Sequence, residues 1–324
     1  MTSLSHAQRL SRTPAVVAYT HEYQDWQLGE GHPTNPVRAR LAVEQLQENA
    51  DRLRIDLARM VPTLDWNRVL AEAELVHDRS YLTALRQGCN EVWDGTQPRL
   101  GEVAALMFTG TMDLVEAMLL DRAAGRVGVY FNPQGAKHHA MRATGSGFCA
   151  LNDMAWAAKK LVRLGLKVAY FDWDAHHGDG VEELLRDEPQ ALTMSVHNGG
   201  IFPGTGLDGH DPARGIYNWA LPQGGGCHDL YHAAQEAWEI LDEFNPDVIL
   251  VACGADGLHG DPLGALSYDV YGVVKTVAYP LGALARRLDA PVVIGGAGGY
   301  QPYDETPRAW AEWVSHIYGA VARH

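Results

Sequence analysis

The 324-residue chain is predicted to fold as one α/β domain, a mostly parallel multi-stranded sheet flanked by helices. Short runs of Val, Ile, Leu and Ala recur along it, longer amphipathic segments alternate with those runs, and 46% of the residues are hydrophobic. Strand–helix alternation over this length fits a single covered sheet, with enough apolar material to bury a large core.

AVVAYT (15–20) reads as the first strand. Asn35-Pro36 then offers an N-cap and a proline at the first helical position, opening an amphipathic segment over 36–56. A second segment over 101–122 leads into VGVYF (127–131), and Asn152-Asp153 can cap a third over 152–165. The strand candidates VAYFDWD (168–174), ALTMSVH (191–197) and YNWAL (217–221) follow. Helical patterns over 229–243, 269–287 and 307–321 alternate with DVILVACG (247–254) and PVVIGGAG (291–298). Several of these strands are nearly continuous apolar runs, as expected when both faces of a parallel sheet are buried. No repeat, linker or shift in composition divides the chain, so 1–324 is expected to be a single domain.

The net charge of −14 argues against a nucleic-acid-binding surface. An acidic surface would accept cationic partners such as lysine-rich segments or polyamines, although ordinary solubility explains it equally well. Cys89, Cys149, Cys227 and Cys253 are scattered without a CxxC pair, as expected of reduced, mostly buried thiols in an intracellular protein. MTSLSHAQRLSRTP lacks the apolar stretch of a signal peptide, and no apolar run approaches ~18 residues. The expectation is a soluble cytoplasmic protein that engages neither membrane nor nucleic acid.

In open α/β sheets ligands sit at the carboxyl ends of the strands, and polar residues gather there in this chain. FDWDAHHGDG (171–180) closes one strand with Asp172, Asp174 and His176, which alternation would place on one side of extended backbone. Two carboxylates and an imidazole converging there would be costly without a cation. Asp and His donors suit zinc, or another first-row divalent ion such as iron(II), better than magnesium or calcium. A catalytic zinc needs about three protein ligands, and Asp256, in a glycine-bracketed loop after another strand, is the candidate third. Asp256 taken alone would be an ordinary helix cap or turn residue. His138 and His139 follow a further strand end, and Asp172 and Asp179 could each hold a proton on one of these imidazoles. Tyr300 ends IGGAGGY and could donate a hydrogen bond to a developing oxyanion. Core packing is the plain alternative for the histidine pair and for the tyrosine. Together these parts make an apparatus for hydrolysing an unactivated amide. GTGLDG (204–209) matches GxGxxG but follows Phe-Pro rather than a strand, so it fails as a dinucleotide site.

DxDAHHGDG, HHA followed by GFCxxND, FPGTG, GADxxxGDPL and GGxGGY, in that order, resemble the histone deacetylase superfamily with its arginase/deacetylase fold. GHPTNPVRAR (31–40) and LVHDRSYL (75–82) resemble its N-terminal markers, so the likeness covers about 15–320. The form NPQGAKHHAM is similar to the bacterial acetoin-utilisation branch and the class I enzymes. The resemblance implies zinc held by Asp174, His176 and Asp256. It implies a histidine pair backed by Asp172 and Asp179, with His139 the principal acid/base, and a carbonyl polarised by Tyr300. It also implies structural potassium at Asp172, Asp174, His176, Ser195 and Val196, partly through carbonyls. Gly147, Phe148 and Phe202 would wall an acyl-lysine channel with Leu263 at its mouth, and Arg38 would line a cavity beneath the metal. Lys137 departs from the family pattern. Either its stem snorkels to solvent, or it joins Arg38 in binding the released carboxylate. Glu91, Asp94 and Glu102 are candidates for an acidic loop residue that clamps the substrate backbone.

The implied function is zinc-dependent deacetylation of N-acetyl-lysine in proteins. An amidohydrolase acting on acetylpolyamines is the nearest rival, but such relatives carry an RPPGHHA-type motif and a long dimer-forming insertion that this chain lacks. An arginase-like ureohydrolase would need a second metal, and Asp256 and Asp261 are too far apart for its DxD pair. A binding module without turnover would have no use for Tyr300 and the histidine pair.

Overall fold

The structure, a computed structural model, describes residues 13–323, so the N-terminal stretch read for a signal sequence lies almost wholly outside the described residues. In chain order the chain builds β1 (Ala15–Ala18), α1 (Val37–Leu53), β2 (Leu57–Met60), α2 (Trp66–Ala73), α3 (Arg79–Arg86), α4 (Pro98–Ala123) and β3 (Val129–Asn132). It continues with α5 (Asp153–Arg163), β4 (Val168–Asp172), α6 (Asp179–Leu185), β5 (Ala191–Asn198), β6 (Ile216–Leu221) and α7 (Cys227–Phe244). β7 (Val248–Ala252), α8 (Val270–Val273), a π-turn, α9 (Tyr279–Arg287), β8 (Val292–Gly295) and α10 (Glu305–Ala322) complete it.

All pairings are parallel, in the order β2-β1-β3-β8-β7-β4-β5-β6. Side-chain alternation splits the interior into two layers. Val129, Phe131, Ala169 and Phe171 pack on one face with α7, α9 and α10, while Tyr130, Val168 and Tyr170 pack on the other with α4 and α5. Helix α1 starts at Val37, one residue later than predicted, so Pro36 rather than Asn35 stands at the N-cap, while Asn35 Oδ1 accepts from the Val37 amide at 3.0 Å. Helix α4 is long and apolar enough to cross a membrane by length and composition (mean hydropathy 1.6), yet 72% of that stretch is buried. It is a core helix.

The register positions the site. Asn132, Gly295, Ala252 and Asp172, the last residues of β3, β8, β7 and β4, pair in one row across the four central strands. The loops that follow therefore leave the sheet at one level, side by side. The predicted strands over 168–174, 247–254 and 291–298 run too far, because the chain turns out of the sheet at that row. Two of the four cysteines, Cys149 and Cys253, are buried, whereas Cys89 is exposed and Cys227 half-buried, so the expectation of mostly buried thiols is only half met. All four are free.

Candidate active site

After Asp172 the backbone leaves the strand and folds into successive turns, so alternation does not bring Asp174 and His176 together. A relay of carboxylates does. Asp172 Oδ1 accepts from the Asp174 amide at 2.9 Å, and Asp174 Oδ1 accepts from the His176 amide at 2.9 Å. Asp174 Oδ2 accepts from the Gly298 amide beyond β8 at 2.6 Å, and Asp256 Oδ1 from the Ala175 amide at 2.9 Å. His176 Nδ1 then lies 3.1 Å from Asp174 Oδ1 and 2.8 Å from Asp256 Oδ2. Two glycines make room: a Cβ at Gly254 would stand 2.3 Å from Asp174 Oδ2, and one at Gly298 would stand 2.1 Å from Asp256 Oδ2.

Asp174, His176 and Asp256 are all buried, with one ligand atom from each within 4.8 Å of the others, and could hold a metal ion. Their electrostatics fit a cation. Despite burial, His138 and His176 drive Asp174 well below the usual carboxylate range, whereas burial and then the Asp174 charge push Asp256 up to about 7. Burial opposes a charge on His176, yet the two carboxylates overcome it and raise the imidazole to about 11. The pocket thus demands positive charge, and one Asp–His–Asp set of nitrogen and oxygen donors suits a first-row divalent ion.

The histidine pair lies beside this group. His138 Nδ1 is 2.8 Å from Asp172 Oδ2, and His139 Nδ1 is 2.7 Å from Asp179 Oδ1 at the start of α6. The N-terminus of α6 docks on the pair's backbone: the Val181 amide donates to His138 O at 3.1 Å, and a Cβ at Gly180 would stand 2.6 Å from that same oxygen. From the other side Asn152, while capping α5, donates to Ala140 O at 3.0 Å, and Asp153 accepts from the Lys137 and Ala136 amides at 2.8 and 3.0 Å. Burial lowers both imidazoles, but Asp172 and Asp174 outweigh it at His138 and raise it to about 9. At His139 burial and the neighbouring His138 charge win and lower it to about 4. One ring is poised charged and the other neutral.

Tyr300 is held from behind, its amide donating to Asp261 Oδ2 at 2.7 Å. Its ring meets Phe148 edge-on at 6.1 Å and lies 5.7 Å from the Arg38 guanidinium. Gly147, Phe148, Phe202, Leu263, His139, His176 and Tyr300 converge on one channel of about 410 Å³, together with Ile201. Phe148 takes a left-handed conformation at φ 62°, a strained choice for a non-glycine residue at the channel wall. His177 packs behind, its Nδ1 2.8 Å from Thr205 Oγ1 and its Nε2 3.0 Å from Glu182, which ties the loop carrying Phe202 to α6. None of the three acidic clamp candidates lines the channel. Glu91 accepts from the Gly145 amide at 3.0 Å, Glu102 pairs with Arg99 at 3.0 Å, and Asp94 is exposed. A larger groove of about 670 Å³ lies at the amino ends of β4 to β6, between Lys167, Arg214 and Phe244, on the wrong side of the sheet for this chemistry.

A small cavity of about 20 Å³ shares the wall of His139, Gly147, Phe148 and Tyr300 with the channel, and Thr34, Arg38, Lys137 and Cys149 line it. Lys137 is 8% exposed, with its amine 5.9 Å from the Trp26 ring, so its stem does not reach solvent. Burial, with help from Arg38, lowers it to about 8. Arg38 donates to Gly299 O and lies 5.1 Å from the Trp310 ring, leaving its Nε and the Thr34 hydroxyl buried without partners. For the potassium set, the sheet register puts Ser195 directly opposite Asp172, with Val196 next along β5. The Ser195 hydroxyl meets His197 Nδ1 at 3.0 Å. Sequence reasoning missed Ile201, Asn152, Asp153, Asp261 and Thr34. All but Ile201 stand in the quoted motifs, but only the ND of GFCxxND was given a structural role, that of a helix cap.

The family model for the histone deacetylase domain matches residues 32–317. The acetoin utilization protein AcuC of Bacillus subtilis is 29% identical over 93% of this chain and 81% of its own length. Histone deacetylase RPD3 of Saccharomyces cerevisiae is 30% identical over 87% of this chain and 67% of its own, and histone deacetylase 8 of Xenopus tropicalis 33% over 67% and 58%. The chain spans little more than half the length of several other curated relatives, such as histone deacetylase 1 of Oryza sativa (56%).

Proposed function

The chain belongs to the histone deacetylase family and is a hydrolytic deacetylase; from that premise we propose that it removes the acetyl group from N-acetyl-lysine in proteins. The observation that carries this reading is the channel. Its lining is apolar apart from His139, His176 and Tyr300 and contains no carboxylate, which suits a neutral acyl-lysine arm. An acetylpolyamine would bring a free ammonium group that needs an acidic partner, and no carboxylate lines the channel to meet it.

Asp174, His176 and Asp256 would hold the divalent ion, zinc or in the cell iron(II), at the foot of the channel. When bound there, such an ion supplies Lewis-acid polarisation of the scissile carbonyl and of the attacking water. Neutral His139, fixed by Asp179, takes the water proton. Its low pKa makes it a modest base but a strong acid, so it passes that proton readily to the leaving amine. Charged His138, held by Asp172, adds positive potential where the oxyanion develops, and the Tyr300 phenol donates a hydrogen bond to that oxygen. Asp172, Asp174, His176, Ser195 and Val196 would hold potassium in a structural role. Arg38 and Lys137 present positive charge through the inner cavity to one carboxylate oxygen of the acetate product. The proposed setting is the cytoplasm, without nucleic-acid or membrane partners.

A chelator should abolish turnover of an acetyl-lysine peptide and added zinc should restore it. Hydrolysis that persists after the metal has been stripped would refute this assignment.

A further inference from the structure

We propose that His228 and His232 on α7 form a second metal site, separate from the buried centre, for a divalent transition ion such as zinc, nickel or copper. The two residues are four apart in Cys227–Phe244, so their imidazoles stand on one face a turn apart. Both are exposed, and their Nε2 atoms lie 3.3 Å from one another. Two nitrogens each about 2.0–2.1 Å from one tetrahedral ion also stand about 3.3 Å apart. The competing account is a hydrogen bond between the rings, and an imidazole N–H bond is optimal nearer ~2.9–3.0 Å.

The surroundings favour an open two-histidine site. The rings cross at 70° with centroids 4.5 Å apart, and Tyr231 packs edge-on against His232 at 5.5 Å, which limits its rotation. The nearest carboxylates on the helix are already engaged. Asp229 accepts from the Gly226 amide at 2.9 Å, and Glu236 accepts from the Trp219 indole at 2.8 Å with His210 3.3 Å away. Water would fill the remaining coordination positions. The helix dipole disfavours a cation in the first turn, and the Asp229 charge in that turn offsets it. Imidazole donors select zinc, nickel and copper over magnesium and calcium. Because α7 begins just after the carboxyl end of β6, the pair lies on the same side of the sheet as the active site, reached from solvent rather than through the channel.

The test is to titrate nickel chloride into enzyme already loaded with one equivalent of zinc, following heat and the histidine Cε1 proton resonances. The wild-type enzyme should take one further equivalent, with broadening confined to two exposed histidines. His228→Asn and His232→Asn should each weaken that binding at least about tenfold, because chelation becomes single-point attachment. Both variants should retain deacetylase activity. Asp256→Asn should keep the nickel site while losing the buried one, which separates this proposal from the active-site assignment. No further equivalent, or one that neither histidine substitution weakens, would overturn it.

Discussion

The channel and the inner cavity share a wall of His139, Gly147, Phe148 and Tyr300, yet they present opposite chemistry on its two sides. Outside, Ile201, Phe202 and Leu263 make an apolar passage without formal charge. Inside, two buried cations, Arg38 and Lys137, face a space with room for about one water-sized group. Amide hydrolysis changes the charge of its ligand in just this direction. A neutral acyl arm enters, and a carboxylate is left behind. The proposed reaction places the breaking bond at the shared wall, and the difference between the two spaces gives each side a separate test.

The largest effect should come from the wall itself. Tyr300→Phe removes a donor to the oxyanion and should lower kcat by about 10²–10³ with KM little changed. Near-normal kcat would take Tyr300 out of the reaction. Next comes the residue behind the histidine pair. Asp172→Asn should cost about 10–100-fold in kcat/KM, as outer-shell partners typically do. It should also move the alkaline limb of the pH profile. Asp172 and Asp174 raise His138 to about 9, so its charged form persists below that pH and is lost as pH rises through it. Without the Asp172 charge the limb should fall toward the ordinary imidazole value of about 6.5. A limb that stays in place would assign it to another group. The smallest effect belongs to the inner side. Lys137→Leu should weaken acetate inhibition roughly tenfold, the worth of one charge-assisted hydrogen bond, and leave substrate KM alone. Unchanged inhibition would mean that Lys137 does not face the product.

Much of the centre was legible in the sequence because it lies at strand ends, which apolar runs mark well. The runs at 127–131, 168–174, 247–254 and 291–298 became the four central strands, and the loops after them carry the candidate metal ligands, the histidine pair and Tyr300. Edge strand β2 was missed because Leu57–Met60 is short and incompletely buried, so it lacks both a core run and clean alternation. Helices α2, α3 and α6 were missed because seven or eight residues give too little periodicity. Alternation also gave the wrong reason for Asp174 and His176, since the carboxylate relay after Asp172 is completed by Asp256 and Gly298, in the loops that follow β7 and β8. The direction of Lys137 was open for a similar cause. Whether a lysine snorkels depends on what covers it, and Trp26 lies far away in sequence.

The central claim is that the channel, apolar and without a carboxylate in its lining, selects an acyl-lysine arm over an acetylated polyamine. The direct measurement is kcat/KM for an acetyl-lysine peptide and for N-acetylputrescine, on the same zinc-loaded enzyme and at the same pH. The peptide should be preferred by at least about tenfold, equivalent to ~1.4 kcal/mol of differential transition-state binding. Equal or better turnover of the polyamine would contradict it.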